Sequence, residues 1–176
     1  VIDNGCYAYA GMLSNISIAD STTNKPVGGN IELIHEFTSD EISFLADSGV
    51  VTFRNSPLLK APVVANGVTL AKADSELHYV CNVRMIQLTE SYIQEKIDSF
   101  LGENIYELDK RNIINKELEA LLLDLKERKI LKDFLLTIII DFDYGELIIE
   151  VDLQTLYMIE FVKTISNAEF AVGGEI

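Results

Sequence analysis

The fold is decided by three segments that follow one another in a fixed order: STTNKPVGG at residues 21–29, TSDEISFLADSGVVTFR at residues 38–54 and GVTLA at residues 67–71. The first is typical of a polar turn, the second of a capped helix followed by a strand, and the third of a further strand. None of them carries a nucleophile, a metal-ligand cluster or a phosphate-binding loop. By itself, the stretch from Ser21 to Leu70 predicts a scaffold without catalytic chemistry.

The middle segment carries signals for both ends of a helix. Thr38 can cap the first turn with its hydroxyl while Glu41 reaches back to the backbone, which is the spacing of a capping box. Ser48-Gly49 closes the helix, because glycine readily adopts the left-handed conformation needed there. Three apolar side chains share one helix face at i, i+3 and i+4, namely Ile42, Leu45 and Ala46.

Short elements are predicted on both sides of this helix. Cys6–Leu13 (CYAYAGML) indicates a short helix whose small residues allow close packing, and Asn15–Asn30 indicates a loop. The alternation of apolar and polar residues at Ile31–His35 predicts a short strand. The β-branched residues of Val50–Arg54 predict another.

A loop and a hairpin are expected next. Pro57 and Pro62 punctuate a loop. Asn66-Gly67 favours a hairpin turn, since both residues tolerate positive φ angles. We therefore expect Val63-Val64 and Val68–Ala71 to flank that turn as strands.

The C-terminal half predicts two helices before a set of strands. Apolar residues recur at helical spacing in Tyr79–Leu101 and again in Asp109–Lys129. Phe134–Phe142 has the composition of a buried strand. Asp143-Tyr144-Gly145 indicates a turn into Glu146–Leu153, where acidic and apolar residues alternate.

One further strand and a tail complete the chain. Leu156–Ile165 is a strand candidate, and the Gly-rich residues Asn167–Ile176 predict a mobile end. Helices and strands mixed in this order predict an α+β fold, with a mixed β-sheet flanked by helices. We expect one domain over residues 1–166 and a flexible tail over residues 167–176.

The composition narrows the class of protein. Of the 176 residues, 48% are apolar and 24% charged, which is enough for a core and too apolar for disorder. The formal charge of −14 disfavours nucleic acid or an anionic membrane as partner, because phosphate binding needs clustered Lys and Arg. The longest apolar run, Phe134–Ile140, is too short to span a bilayer. Cys6 and Cys81 lie in no CxxC motif, and we expect no disulfide between them.

Few residues could carry chemistry. His35 and His78 are the only histidines, so a histidine-based triad or a multi-histidine metal site has little to build on. Five acidic residues could in principle bind a hard cation: Asp141, Asp143, Glu146, Glu150 and Asp152. Glu146, Glu150 and Asp152 share one strand face at period two, however, which is also the pattern of a solvated face. We expect no catalytic residue, metal or cofactor; the alternative is a small acidic cation-binding or protein-interaction module.

The helix predicted at Asp109–Lys129 carries two stripes. The first has the composition of a core face: Ile114, Leu118, Leu121, Leu122 and Leu125. The second lies opposite, with steps of three and four residues: Ile113, Lys116, Ala120, Leu123 and Glu127. If both stripes are buried, the helix lies inside the domain. If the second is exposed, its apolar anchors with flanking charges would dock on another protein.

The order of these motifs resembles the contractile tail sheath proteins of phages, tailocins and related injection machines, particularly the compact type of Gram-positive phages. The resemblance rests on CYAYAGML, STTNKP, DEISFLADSGVVTFR and GVTLA, then on a helix bearing Arg84, the long helix, and LQTLYMIEFVKTI near the end. It covers nearly the whole chain. One departure is FLGENIYELDKR, which stands where the family usually has aromatic residues, although compact members also show a Phe-Leu-Gly form.

The resemblance implies a structural role without enzyme activity or cofactor. Such a subunit polymerises around an inner tube and contracts to drive the tube through a bacterial envelope. The implied partners are other sheath subunits in a helical array of stacked rings, the inner tail tube protein, and baseplate and terminator proteins, with no nucleic acid and no membrane. The implied location is a virion tail or tailocin particle, assembled in the bacterial host cytoplasm.

The resemblance also assigns roles to two elements. Terminal arms of such sheaths add a strand to a neighbour's sheet. Here Leu156–Ile165 would be the arm strand, and Glu146–Leu153 its partner or docking edge. The alternate positions along the arm are Leu156, Met158, Glu160, Val162 and Thr164. The second stripe of the long helix would face the tube.

The resemblance finally bears on what precedes this sequence. Full-length chains of the family begin with an N-terminal arm and a variable domain. This chain begins Val-Ile-Asp-Asn rather than with Met, as expected of a segment of a longer polypeptide or of a chain that has lost a leader. We expect it to be the C-terminal, assembly-competent portion.

Overall fold

The chain forms helices and antiparallel hairpins. A computed structural model describes residues 5–28, 31–100, 108–141 and 146–155. Within those residues it contains four α-helices and two separate two-stranded antiparallel sheets. The predicted α+β class is confirmed. Within the described residues, two hairpins take the place of the expected mixed sheet, because each strand pairs with the next strand along the chain.

The N-terminal half surrounds a small buried centre. Its elements are α1 (Gly5–Asn15), α2 (Ser39–Asp47), β1 (Phe53–Ser56), β2 (Ala61–Val64) and a 3-10 turn at Glu76–His78. β1 and β2 are antiparallel, with Phe53 opposite Val64. Met12 of α1, Val27 of the following loop and Val64 of β2 form the buried centre.

α1 confirms the predicted helix, but its close packing is confined to one side. Ala8 packs against the buried centre. Gly5 faces the ring of Phe53, where an added Cβ atom would lie 2.9 Å from a ring carbon. A Cβ atom at Gly11 would meet nothing within 4 Å. Only part of the small-residue pattern therefore serves close packing.

α2 is capped as predicted. The Thr38 hydroxyl accepts a hydrogen bond from the Glu41 amide at 3.4 Å, and the Glu41 carboxylate accepts one from the Thr38 amide at 2.8 Å. Gly49 follows the helix with a φ angle of 74°. The Val50 amide then donates to the Leu45 carbonyl at 2.8 Å, which satisfies one of the last helical carbonyls.

Two predicted strands are corrected. Residues 31–35 form an irregular segment, and no strand pairs with them in the part of the chain described. Ile31 packs against the buried centre while Ile34 is 82% exposed, so the alternation reflects a half-buried loop. The strand predicted at residues 50–54 begins only at Phe53, since the amide of Val50 is bound to the end of α2.

The hairpin turn is also in a different place. It lies at residues 57–60, not at Asn66-Gly67, and Pro62 belongs to β2 rather than to a loop. Lys60 closes the turn with a φ angle of 51°, and its amide donates to the Ser56 carbonyl at 2.8 Å.

Gly67 allows two loops to approach closely and does not form a hairpin turn. A Cβ atom there would lie 1.7 Å from the hydroxyl oxygen of Thr22, so the absence of a side chain allows the loop to approach. The Gly67 amide donates to the Thr23 hydroxyl at 3.1 Å, and its carbonyl accepts from the Val80 amide at 3.0 Å. These bonds tie the segment to two distant parts of the chain, which rules out the expected hairpin.

The C-terminal half packs a hairpin against two helices. Its elements are α3 (Val80–Asp98), α4 (Leu108–Glu127), β3 (Leu131–Asp141) and β4 (Glu146–Thr155). Both predicted helices and both predicted strands are confirmed. The centre of this half consists of side chains at most 9% exposed: Ile114, Leu118, Leu122, Leu125, Leu131 and Ile138.

β3 is buried on one face only, which corrects the expectation of a buried strand. Phe134, Leu136 and Ile138 lie in the cores shared with the helices. Leu135 and Ile139, on the other face, are 62% and 44% exposed. This is the behaviour of an antiparallel hairpin that has helices on a single side.

Several predicted features lie outside the described residues. These are the turn at residues 143–145, the strand at 156–165 and the tail at 167–176. The domain limits therefore remain a prediction. None of the helices described is both long and apolar enough to cross a bilayer.

Candidate assembly surfaces

α4 exposes one long face. On its buried side, Leu118, Leu122 and Leu125 are 0% exposed. All five residues of the second stripe are exposed: Ile113, Lys116, Ala120, Leu123 and Glu127. Ile113 and Leu123 each leave 47% of their surface in solvent. The described part of the chain therefore does not cover this stripe, and two apolar side chains flanked by charged ones are available for contact.

Within the described residues, both edges of the β3–β4 hairpin lack a further strand. The two strands pair from Leu131 opposite Thr155 to Asp141 opposite Glu146. Among the residues that the structure describes, no third strand joins them. Each strand therefore turns one row of N–H and C=O groups away from its partner, and such a row is a template for an added strand.

The outer face of this hairpin is mixed in character. Leu135, Ile139 and Ile148 are 62%, 44% and 40% exposed. Glu150 and Asp152 are exposed on the same face of β4, as the period-two pattern predicted. The face combines apolar anchors with carboxylates.

Only part of the predicted acidic cluster lies in the described residues. Asp141 and Glu146 are opposite each other in register, and Asp143 lies outside the described residues. Glu150 lies four residues along β4 from Glu146, which at about 3.4 Å per residue separates their backbones by roughly 14 Å. In the described ranges, no group of three potential ligands could hold a metal ion.

The two histidines lie in different surroundings. His35 is exposed, and its ring stands edge-on to Phe37 with 4.8 Å between centroids. His78 is buried, and its Nδ1 atom lies 3.0 Å from the Ala71 carbonyl oxygen. Each ring serves a local contact.

Two carboxylates have lowered pKa values for structural reasons. Hydrogen bonds from Thr38, first from its amide and then from its hydroxyl, hold the pKa of Glu41 below its ordinary value of 4.5. The Lys126 ammonium does the same for the pKa of Asp133, at 3.0 Å. Glu41 thereby caps α2, and Asp133 connects β3 to the end of α4.

Sequence reasoning missed the role of Arg84. The guanidinium of this α3 residue donates to the carbonyl oxygens of Leu13 at 3.0 Å, Ile16 at 3.3 Å and Ser17 at 3.4 Å. These carbonyls lie at and beyond the end of α1, where the helix provides no internal donors. Because the contact joins residues up to 71 positions apart, no local pattern could reveal it.

Solved structures with the same architecture come from contractile machines. One chain of the anti-feeding prophage baseplate superposes on 93% of this chain and 48% of its own length, with a TM-score of 0.79 and 14% identity. A chain of the contracted PVC sheath complex, from an extracellular contractile injection system, matches 92% of this chain and 49% of its own, with a TM-score of 0.76 and 17% identity. The sheath tail protein from Listeria innocua matches 86% and 38%, with a TM-score of 0.68 and 16% identity.

These proteins match the chain in three-dimensional structure, at sequence identities of only 14–17%. No protein-family model and no curated protein sequence matches the chain. The chain spans about half the length of the first two proteins that it matches. The predicted arm residues Leu156, Met158, Glu160, Val162 and Thr164 lie outside the described residues. What the comparison establishes is the architecture: this chain has the fold of the contractile sheath proteins.

Proposed function

We propose that the chain is the assembly portion of a sheath subunit in a contractile tail or injection machine. The observation that carries the proposal is the superposition of 93% of the chain on a protein of a contractile machine, with a TM-score of 0.79. The subunit would polymerise around an inner tube and contract to drive it through a bacterial envelope. Its role would be mechanical rather than catalytic.

Subunits would be joined by strand addition to the β3–β4 hairpin. The edges of that hairpin support this step, because no strand among the described residues pairs with them, although the Ile138 carbonyl accepts a hydrogen bond from the Arg111 guanidinium at 3.2 Å. Residues 156–165 would supply the added strand to a neighbour. Residues 155–158 read Thr-Leu-Tyr-Met, without the Gly, Pro, Asn or Asp that favour a tight turn back onto the same hairpin.

The exposed face of α4 would dock on the tube. Ile113 and Leu123 supply apolar anchors, each 47% exposed, and Lys116 and Glu127 supply flanking charges. Interfaces combine an apolar centre with a polar rim in this way. A helix is also a suitable element for the task, since it presents these side chains at fixed spacing.

The energy for contraction would come from the lattice of subunits. No nucleotide-binding motif occurs in the sequence. The extended assembly would hold subunits in one set of contacts and the contracted assembly in another, so that repacking between the two releases the stored energy. Strand addition would keep neighbours linked throughout. Baseplate and terminator proteins would bound the array, in a particle assembled in the host cytoplasm.

Electron microscopy of the protein expressed from its complete gene tests the proposal. We expect rings or tubes whose length grows with protein concentration. Leu123→Glu, which alters the α4 face and not the hairpin, should still permit sheath–sheath contacts but prevent decoration of purified tubes. A protein that never forms tubular assemblies at any salt concentration would contradict the proposed function.

A further inference from the structure

The tip of the β1–β2 hairpin holds two leucines in solvent. The turn reads Ser56-Pro57-Leu58-Leu59-Lys60. Leu58 is 90% exposed and Leu59 is 50% exposed. Among the described residues, no neighbour buries Leu58, so its side chain is available for contact with another molecule.

The turn that carries these leucines is closely hydrogen-bonded. The Lys60 amide donates to the Ser56 carbonyl at 2.8 Å, and the Leu59 amide donates to the Ser56 hydroxyl at 3.3 Å. Pro57 restricts the backbone further. Lys60 adopts a φ angle of 51°, which is unfavourable for a residue other than glycine. The backbone that carries the leucines is therefore held in a defined conformation, so little backbone freedom is lost when they bind.

The described residues leave an apolar cavity near the base of the same hairpin. Its volume is about 200 Å³, and its walls include Ala8, Val27, Leu33, Phe53 and Pro62. A dry cavity of about 150 Å³ can hold a benzene molecule, so this one has room for the four-carbon side chain of a leucine. Leu58 does not line the cavity of its own chain.

We propose that Leu58 of one copy of this chain inserts into the cavity of a second copy. Size and charge both support this occupant. Lys60 is exposed beside the leucines, and Glu32 is exposed on the cavity wall, so insertion brings opposite charges together. The cavity and the tip together offer an apolar contact with a single ion pair at its rim.

A contact between two different surfaces permits an open array. The tip and the cavity are different surfaces, so each copy can donate a tip to one neighbour and receive a tip from another. Such heterologous contacts generate helical filaments when the rotation does not close. The expectation of a helical array rests on the proposed sheath function. The charge of −14 on every copy opposes close approach in solution, so the single contact is weak and gains strength from the other lattice contacts.

Disulfide trapping tests the contact without requiring a sheath. In a Cys6→Ser background, one protein carries Leu59→Cys at the tip, beside an intact Leu58, and the other carries Ile34→Cys at the cavity, where Ile34 is 82% exposed. After mixing and mild oxidation, we expect the mixed disulfide to form about tenfold faster than for the control pair, because the contact raises the effective concentration of the two thiols. Adding Leu58→Asp to the tip protein should return the rate to that of the control, because a carboxylate does not enter an apolar cavity.

The matched control replaces the tip cysteine by Leu70→Cys, since Leu70 is 88% exposed and does not line the cavity. If Leu59→Cys fails to fold, Pro57→Cys on the same turn takes its place. Equal rates for tip and control would overturn the proposal, whether the cavity is closed by another part of the chain or stays open. Rapid disulfide formation in the tip protein alone would also overturn it, because that result indicates a tip-to-tip contact. Either failure leaves the sheath assignment to be decided separately by electron microscopy.

Discussion

At the residue scale, the contact between Gly67 and Thr22 leaves no room for a side chain. An added Cβ atom would lie 1.7 Å from the Thr22 hydroxyl oxygen, and Thr22 is only 1% exposed. We expect Gly67→Ala to lower the free energy of unfolding by about 1–3 kcal/mol, which is the usual cost of overpacking. Urea denaturation measures the change.

Gly11→Ala is the matched control. A Cβ atom at this helical position would meet nothing within 4 Å. Alanine in a helix interior is better than glycine by about 0.5–1 kcal/mol, so this variant should gain stability. If both variants lose the same amount, the close contact at Gly67 is not the cause.

The capping carboxylate of α2 gives a prediction about pH. The pKa of Glu41 in the folded chain lies below its ordinary value of 4.5, owing mainly to the Thr38 amide. A lowered pKa means that its stabilisation is present above about pH 4.5 and is lost as the pH falls through the lower, folded value. We expect the amide resonance of Thr38 and the carboxyl resonance of Glu41 to titrate together in an NMR experiment, below pH 4.5. In Glu41→Gln, the Thr38 titration should vanish; its persistence would assign the shift to another group.

At the element scale, the two faces of α4 should respond differently to substitution. Leu118 is 0% exposed, and Leu118→Ala should lower the free energy of unfolding by about 3–5 kcal/mol through loss of burial and creation of a cavity. Leu123 is 47% exposed, and Leu123→Glu should leave the melting temperature within a few degrees of the original. Thermal denaturation of both variants checks this.

The Leu118→Ala and Leu123→Glu variants also distinguish a loss of folding from a loss of tube docking. Leu123→Glu should abolish binding to purified tubes even though the domain remains folded, because a carboxylate would be placed in the apolar centre of the interface. A large loss of thermal stability in Leu123→Glu would show instead that this side of α4 is covered within the domain. Full tube binding by the variant would remove α4 from the proposed interface.

The elements that sequence reasoning predicted correctly are those with local signals. The capping box of α2 and the apolar stripe of α4 are defined by residues within one or two helical turns, and both are present. The strand at residues 31–35 and the turn at Asn66-Gly67 failed because their outcome depends on distant partners. Gly67 is held by Thr23 and Val80, which local propensity cannot foresee.

The candidate assembly surfaces also differ in whether local sequence signals predict them. The exposed stripe of α4 could be identified from its spacing, because one face of a helix is fixed by its periodicity. The leucines at residues 58 and 59 were not singled out, since only the position of the turn shows that they project into solvent. The clamp of Arg84 on the end of α1 depends wholly on tertiary structure.

At the scale of the whole molecule, the segment after β4 should be needed for assembly and not for folding. All the cores described are formed by residues before Thr155, so a chain that ends at Thr155 should keep nearly the same melting temperature. It should fail to form tubes, because it has no strand to add to a neighbour's hairpin. Calorimetry of the truncated protein checks its melting temperature, and electron microscopy checks whether it forms tubes. Tubes formed by the truncated protein would exclude residues 156–165 as the connecting strand.

The central claim is that sheath subunits are joined through the open edges of the β3–β4 hairpin. The most direct measurement is electron cryomicroscopy of the assembled particle at a resolution that shows individual strands. We expect a further strand hydrogen-bonded to the edge of each β3–β4 hairpin, with its chain traced to residues 156–165 of a neighbouring subunit. An assembled particle whose hairpin edges have no strand from a neighbour would contradict it.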